Sequence, residues 1–313
     1  MIRRLALLTL VMALAACGSK KQAAVPESVC PPQPTGEVAL AGGTFTMGAG
    51  GMHGDEGPPR KVTVAPFAID RTEVTNDEFA AFVKATGYVT LAERDPDPAL
   101  YPGVPKSMLK PSSLVFVGAE GLGDGNPANW WRIVDGASWK HPTGPGSDLK
   151  GLGRHPVVHV AYDDALAYAR WKGRDLPTEE EWEFAARAGL DGAPYEWGEA
   201  SKTPKANYWQ GVFPAVDTGE DGYKARAAPV GCFPASAYGL FDLSGNVWEW
   251  TSGRYGPAPD APRLIKGGSY LCADNFCLRY RPAARQPGPP DTGQSHLGFR
   301  TVKRATTGEK GTP

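Results

Sequence analysis

Helix signals occur in three places before Gly189 and in none of comparable length after it, and this asymmetry restricts the fold more than any other feature of the chain. TNDEFAAFVKATG opens with Thr75 and Glu78 at capping-box spacing, where the threonine oxygen and the glutamate carboxylate each satisfy a free amide. Phe79, Phe82 and Val83 then share one face, and Gly87 closes the helix. LPTEEEWEFAARAG repeats the device with Thr178 and Glu181, turns Trp182 and Ala186 to the core and ends at Gly189. Between them, HPVVHVAYDDALAYARWKG predicts a short strand and then a helix from near Asp163. VALAGGTFTMG from Val38 and KVTVAPFAI from Lys61 read as strands, the second alternating Val62, Val64 and Phe67 with polar or small neighbours. With 39 glycines and 30 prolines, the rest of the chain has room only for short strands and loops, and nine tryptophans supply the surface to pack them. The expectation is an α+β chain forming a single compact domain, low in regular secondary structure and rich in long loops. Leu91 to Gly153 is the longest such loop; loops of this length are functional or disordered, and Trp130, Trp131 and Trp139 argue against disorder. There is no internal repeat and no break in composition.

The N-terminus sets the compartment. MIRRLALLTLVMALAACGSKK places Arg3 and Arg4 before an apolar run, Leu5 to Leu14, that is too short to span a bilayer. Leu14-Ala15-Ala16-Cys17 reads as a lipobox, with residues 1–16 a lipoprotein signal peptide and Cys17 the lipidated residue; an ordinary secretory signal is the alternative. Residues 17–35 then form a flexible tether, 36–304 the domain and 305–313 a disordered tail. Either reading puts the mature chain outside the cytoplasm, where disulfides form. The absence of an aspartate at Gly18 leans toward an outer-membrane anchor. Lys and Arg number 33 against 34 Asp and Glu, so nothing suggests a nucleic-acid partner. A monomer is expected.

Three constellations are candidates for chemistry. Cys272 and Cys277 lie in GGSYLCADNFCLRYR, in a chain with five cysteines. A disulfide leads, and a two-thiolate Cu(I) site comes second, since soft sulfur ligands in low number select that ion. Zinc needs about four ligands, and His53, His141, His155, His159 and His296 show no such spacing with the cysteines. Disulfide-exchange thiols usually come as CxxC, which this is not. The second constellation, NYWQGVFPAVDTGEDGY, collects Asp217, Glu220 and Asp221 on a glycine-rich loop. It reads as a solvated acidic turn or as a Ca²⁺ loop outside the EF-hand pattern. The third, DLSGNVWEW, sets Asp242, Asn246 and Glu249 around a glycine and two tryptophans.

Together these pieces resemble the formylglycine-generating enzymes, the sulfatase-modifying factor family. The resemblance runs from GGTFTMG to HLGFR, through EVTNDEFAAFVKATGY, ANYWQG, YGLFDLSGNVWEWT and GGSYLC with CLRYR. GNVWEW and GGS mark the fold, which is C-type-lectin-like; the Cys272/Cys277 frame marks the catalytic members. The resemblance implies a copper-dependent oxidase that uses O₂ to convert a cysteine in the Cys-x-Pro-x-Arg motif of an unfolded sulfatase into Cα-formylglycine. By position, Cys272 and Cys277 would hold Cu(I), Ser269 would lie in the active site and Trp248 in its wall. Glu73 and Asp97 would meet the substrate arginine. One structural Ca²⁺ would be held by Asn207, Asp221 and the carbonyls of Tyr208 and Tyr223. A second would be held by Asp242, Glu249 and the carbonyls of Gly245 and Val247.

The chain departs from the family at several positions. Pro282 and Thr301 stand where animal members have disulfide cysteines. Phe276 replaces a common tyrosine and His296 a common asparagine; the histidine is then a candidate extra metal ligand or pH-dependent group. Asp242 in place of asparagine adds a negative charge to the second calcium loop. Cys30 and Cys232 either pair and pin the tether or stay free. Two other functions are weighed. Non-haem iron sulfoxide synthases on this scaffold need a histidine triad that is missing here. A non-catalytic binding lipoprotein would be favoured by loss of a cysteine, and neither is lost.

Overall fold

The computed structural model describes Cys30, residues 34–118 and residues 126–305. The signal peptide, Cys17, most of the tether and nearly all of the tail assigned above lie outside the described residues.

The two ends of the domain are paired in one sheet. β1 (Glu37–Leu40) and β4 (Phe67–Asp70) are antiparallel, and β13 (Val302–Arg304) pairs with the other edge of β4. β2 (Gly43–Met47) and β3 (Arg60–Val64) form a separate hairpin-like ladder. The Lys61–Ile69 segment, read as one strand, is thus two strands in two sheets, broken at Ala65–Pro66. Proline cannot donate to a ladder, which places the break where it is found.

α1 (Asn76–Thr86) and α3 (Glu179–Arg187) begin at the expected capping boxes: Glu78 N donates to Thr75 Oγ1 at 3.3 Å and Glu181 N to Thr178 Oγ1 at 3.1 Å. α1 ends on Gly87 in the left-handed region, as its sequence predicts, but α3 ends one residue early, with Ala188 at φ 45°. α2 (Tyr162–Trp171) starts one residue before Asp163. Phe79 of α1 stacks on Tyr168 of α2 and meets Trp139 edge-on, and Phe299 closes this aromatic core. Trp139 comes from the long Leu91–Gly153 segment. That segment also contains β5 (Ser112–Phe116) and β6 (Trp131–Asp135), which pair antiparallel.

After β7 (Gly211–Val212) and β8 (Val216–Asp217), the largest sheet forms. It has the order β11 (Gln286–Gly288), β10 (Arg263–Lys266), β9 (Trp248–Arg254) and β12 (Leu297–Gly298). The β9–β12 pairing is parallel, with Leu297 opposite Trp248, and it brings the HLGFR segment beside GNVWEW.

Cys30 and Cys232 form a disulfide across 202 residues of sequence. The folded unit therefore reaches back before Gly36 into the expected tether, and Arg154 donates to the Cys30 carbonyl at 3.0 Å. In the chain-entropy account a loop of that size stabilises by about 5 kcal/mol, against about 2 kcal/mol for one of five residues. Cys232→Ser should accordingly lower the urea midpoint by more than Cys272→Ser does, a ranking that paired denaturation curves would check. At the position of the missing animal disulfide, Thr301 is buried and both its amide and its hydroxyl bond Asp70, at 2.9 and 2.5 Å. Arg174 in turn pairs with Asp70 at 2.5 Å.

Candidate active site and its buried charge cluster

Ser269 to Leu278 form a tight loop. Cys272 N donates to Ser269 O at 2.9 Å, and Ala273 and Phe276 exchange backbone bonds of 2.8 and 3.1 Å. Gly268 is required beneath it: with φ 74°, a Cβ there would lie 2.8 Å from the Tyr280 backbone. The loop brings the two sulfurs together, and the structure joins Cys272 and Cys277 in a disulfide with Cα atoms 5.1 Å apart. Cys272 is 2% exposed and belongs to the aromatic core cluster that also includes Trp248, while Cys277 is only partly buried. Reduction would yield two soft thiolates in an apolar, water-poor setting, one of them reachable from solvent. That donor set suits Cu(I). The expected Ser269 lies beneath, fully buried, and its hydroxyl accepts the Leu271 amide at 3.2 Å, so it shapes the loop. Phe276 is 39% exposed at the rim, stacked 4.5 Å from Phe213 and edge-on to Trp130.

The expected arginine-binding pair is not brought together. Asp97 lines an open cavity of about 360 Å³ with Arg94, Asp95, Tyr101 and Asp291, and caps Ala99 N at 2.9 Å. Glu73 does not line that cavity: its side chain is fully buried, with Oε1 accepting from Asn246 at 3.0 Å, and it borders a separate cavity of about 470 Å³ with Thr72, Val74 and Arg174. The structure therefore does not bring Glu73 and Asp97 to one place as an arginine-binding pair.

Glu73 belongs to a cluster that sequence spacing alone does not reveal. Glu73, Glu196, Asp242 and Glu249 are all buried around Arg300. Arg300 forks onto Glu249 with two bonds of 2.7 Å, and Trp182 Nε1 adds a third donor to that carboxylate at 2.9 Å. Glu249, expected as a calcium ligand, is thus already paired. The excess negative charge rests on the other three carboxylates. Burial, followed by the Asp242 charge, holds the Glu73 carboxyl well above the usual range; burial does the same to Glu196 and lifts Asp242 to about 6. Glu196 Oε2 and the Ser244 hydroxyl are buried without hydrogen-bond partners, and Glu73 can bond Asp242 only by holding a proton between the two carboxyls. Unpaired buried oxygens are costly unless a proton or a cation joins them. The signal in the sequence for this cluster is the Arg300 of LGFR, an arginine inside an apolar motif and so in need of a buried counter-charge.

The two acidic loops touch. Asn246 N donates to Asn207 O at 2.7 Å, and a Cβ on Gly245 would lie 2.1 Å from that oxygen. Asn207 spends its amide hydrogens on Arg226 O and Asn246 Oδ1, leaving its own Oδ1 buried without a partner. Asp221 accepts the amides of Tyr208 and Tyr223 at 3.2 and 2.8 Å, and burial raises its pKa. An orphaned, buried amide oxygen near a carboxylate is a donor set that suits a hard cation. Among the described residues no three His, Cys, Asp or Glu side chains converge on a common point, so backbone carbonyls would have to complete either shell.

His296 is buried with its ring 4.7 Å from Trp131, its backbone oxygen accepting from Trp248 N at 2.8 Å. Burial lowers its pKa to about 3, so the folded ring is neutral at ordinary pH and its pH dependence appears in stability. Because the unfolded ring binds a proton near pH 6.5, stability is full above that value and is lost as pH falls toward 3. His296→Asn should recover roughly 2 kcal/mol of the stability lost between pH 7 and pH 5, measured by urea titration at both values.

Residues 22–305 match the sulfatase-modifying factor enzyme 1-like domain. The chain belongs to this family. It is 46% identical over 296 residues to the formylglycine-generating enzyme of Mycobacterium tuberculosis, covering 87% of this chain and 98% of that protein. It is also 43% identical over 275 residues to the mouse inactive Cα-formylglycine-generating enzyme 2, covering 86% and 85%. Among solved structures it resembles PvdO from Pseudomonas aeruginosa, with a TM-score of 0.60 and 26% identity over 86% of this chain and 94% of that one. The family fold, a single domain of low helix and strand content, is the one expected. Overall identity does not separate active from inactive relatives, so the residues of the site must.

Proposed function

We propose that the protein is a copper-dependent, O₂-using oxidase that converts the cysteine of a Cys-x-Pro-x-Arg segment in an unfolded sulfatase to Cα-formylglycine. The observation that carries this reading is the Cys272–Cys277 pair: two adjacent sulfurs, one buried among aromatics and one partly exposed, in the sequence frame that the family resemblance assigns to catalytic members. Two-electron reduction by an external thiol frees both thiolates, which would hold Cu(I) and leave coordination open for the client's sulfur. Bound copper would supply the activation of dioxygen. The chain's own part is to seat the client cysteine beside Cys277 and keep water from the buried side, with Trp248 and the core cluster behind it. Asp97, with the acidic residues of its cavity, would take the client's arginine; Glu73 would not.

Two Ca²⁺ ions have a structural role in this reading. One is held by Asn207, Asp221 and the carbonyls of Tyr208 and Tyr223. The other is held near Asp242 and the carbonyls of Gly245 and Val247, where it would offset the carboxylates that Arg300 leaves unbalanced. The Cys30–Cys232 disulfide points to an oxidising compartment. Anchoring through a lipidated Cys17, in the outer membrane, would present the site to clients during or just after export, before they fold.

The test is incubation of the full-length protein, reduced, copper-loaded and in air, with a Cys-x-Pro-x-Arg peptide, followed by mass spectrometry and hydrazide trapping. A trapped aldehyde supports the proposal. Copper binding without aldehyde overturns the assigned substrate. A chain that binds no copper after reduction overturns the enzyme and leaves the alternative, a binding lipoprotein on the same fold, which the inactive mouse relative makes a real competitor.

A further inference from the structure

The two sulfurs of the pair are held in place by different means. The Cys272 carbonyl accepts a backbone donor, Trp209 N, at 2.9 Å. The Cys277 carbonyl lies 3.0 Å from a side chain, His53 Nε2, which comes from a loop more than two hundred residues earlier in the chain. Cys277 and Leu278 both sit in the left-handed region, at φ 72° and 49°. Non-glycine residues hold such a conformation at a cost, and only where their surroundings over-determine it. On the Leu278 side the bend is tied by Arg281 Nε to Leu278 O at 2.7 Å and by Leu278 N to Ala273 O at 3.2 Å. On the Cys277 carbonyl, among the described residues, the imidazole is the donor that reaches it.

The loop that carries His53 is itself organised for this grip. Met52 N and His53 N both donate to Glu56 Oε2, at 2.6 and 3.2 Å. The other Glu56 oxygen takes Arg281 at 2.6 Å, an ion pair with both side chains fully buried. One short loop therefore holds both sides of the bend: through Glu56 and Arg281 on the Leu278 side, and through His53 on the Cys277 side.

We propose that His53 is a positioning residue that fixes Cys277, and thereby pre-organises the two sulfurs for whatever joins them. This rests on the reading of the pair as working thiols. The imidazole acts through the backbone and not by touching the reacting atoms. A carbonyl can only accept, so Nε2 is the donor in this contact. Pre-organisation of this kind favours every bond that needs the sulfurs close together, whether to a shared metal or to each other.

The test compares wild type, His53→Ala and His53→Gln in the full-length protein by two equilibria. One is Cu(I) affinity by competition with a chromogenic chelator. The other is the dithiol–disulfide equilibrium of Cys272 and Cys277 in a glutathione buffer, which needs no copper. The alanine variant should weaken both by about fivefold, the yield of one net hydrogen bond. The glutamine variant, whose amide can donate, should recover most of the loss, with melting temperatures of all three within a few degrees. Unchanged equilibria in the alanine variant would overturn the proposal. So would equal impairment in both variants with a lowered melting temperature, which would mark a merely structural loop. Failure of wild type to bind copper would sink the proposed oxidase while the disulfide equilibrium still judged His53.

Discussion

Cys272→Ser and Cys277→Ser should each remove aldehyde formation, by on the order of a thousandfold or more, and the double variant should be no worse than either single one. Groups that act as a unit lose nearly the whole effect with the first deletion. A lone thiolate beside a serine hydroxyl is a poor Cu(I) site, because the soft donor count falls from two to one. The measurement is kcat on the Cys-x-Pro-x-Arg peptide together with copper stoichiometry. The structure also says why this loss would be chemical and not a collapse of the fold. The Cys272–Cys277 link closes a separation of only five residues, and the serine variants keep the backbone bonds that build the loop. Circular dichroism melts of the serine variants should therefore stay close to that of the reduced wild type, in which the link is already open. A single variant that keeps a substantial part of its activity would show that the pair is structural, and the oxidase reading would fall.

The largest effect on stability is expected at Arg300. Arg300→Met should cost about 3–5 kcal/mol, the range for removing one partner of a buried ion pair and leaving the other uncompensated. Here the consequence is greater than for an isolated pair. Arg300 is fully buried, forks onto Glu249, donates to Phe241 O at 2.9 Å, and is the cation facing Glu73, Glu196 and Asp242. At roughly 2–4 °C per kcal/mol for a domain of this size, the melting temperature should fall by about 10 °C or more. A scan by circular dichroism in excess chelator and again in excess Ca²⁺ would separate two contributions. If a cation shares the charge near Asp242, calcium should restore part of the loss. If Arg300→Met melts within a few degrees of wild type, the cluster is not the electrostatic keystone its burial implies.

Features whose physics spans a few residues could be read from the chain. The caps at Thr75 and Thr178 each need only a hydroxyl and a carboxylate three residues apart, and both form as expected. The cysteine frame around Cys272 and Cys277 was equally local. Strand identity was legible in Lys61–Ile69, but strand membership was not. β3 pairs with β2 while β4 sits between β1 and β13, and the choice depends on partners at opposite ends of the sequence. Glu73 shows the same limit for a site residue. The resemblance assigns it with Asp97 to the substrate arginine, yet its neighbours are Asn246, Asp242 and Arg300, which chain closure brings to it.

The sequence by itself determined the helix caps, the spacing of the thiol pair and the family to which the chain belongs, because each rests on residues adjacent in the chain. Only the folded structure decided that Cys30 pairs with Cys232, that Glu73 and Asp97 border separate cavities, and that His53 reaches Cys277. The physical reason is desolvation. Whether a carboxylate, an imidazole or a thiol is exposed, paired or stranded depends on what distant segments cover it, and that coverage exists only once the chain has closed on itself.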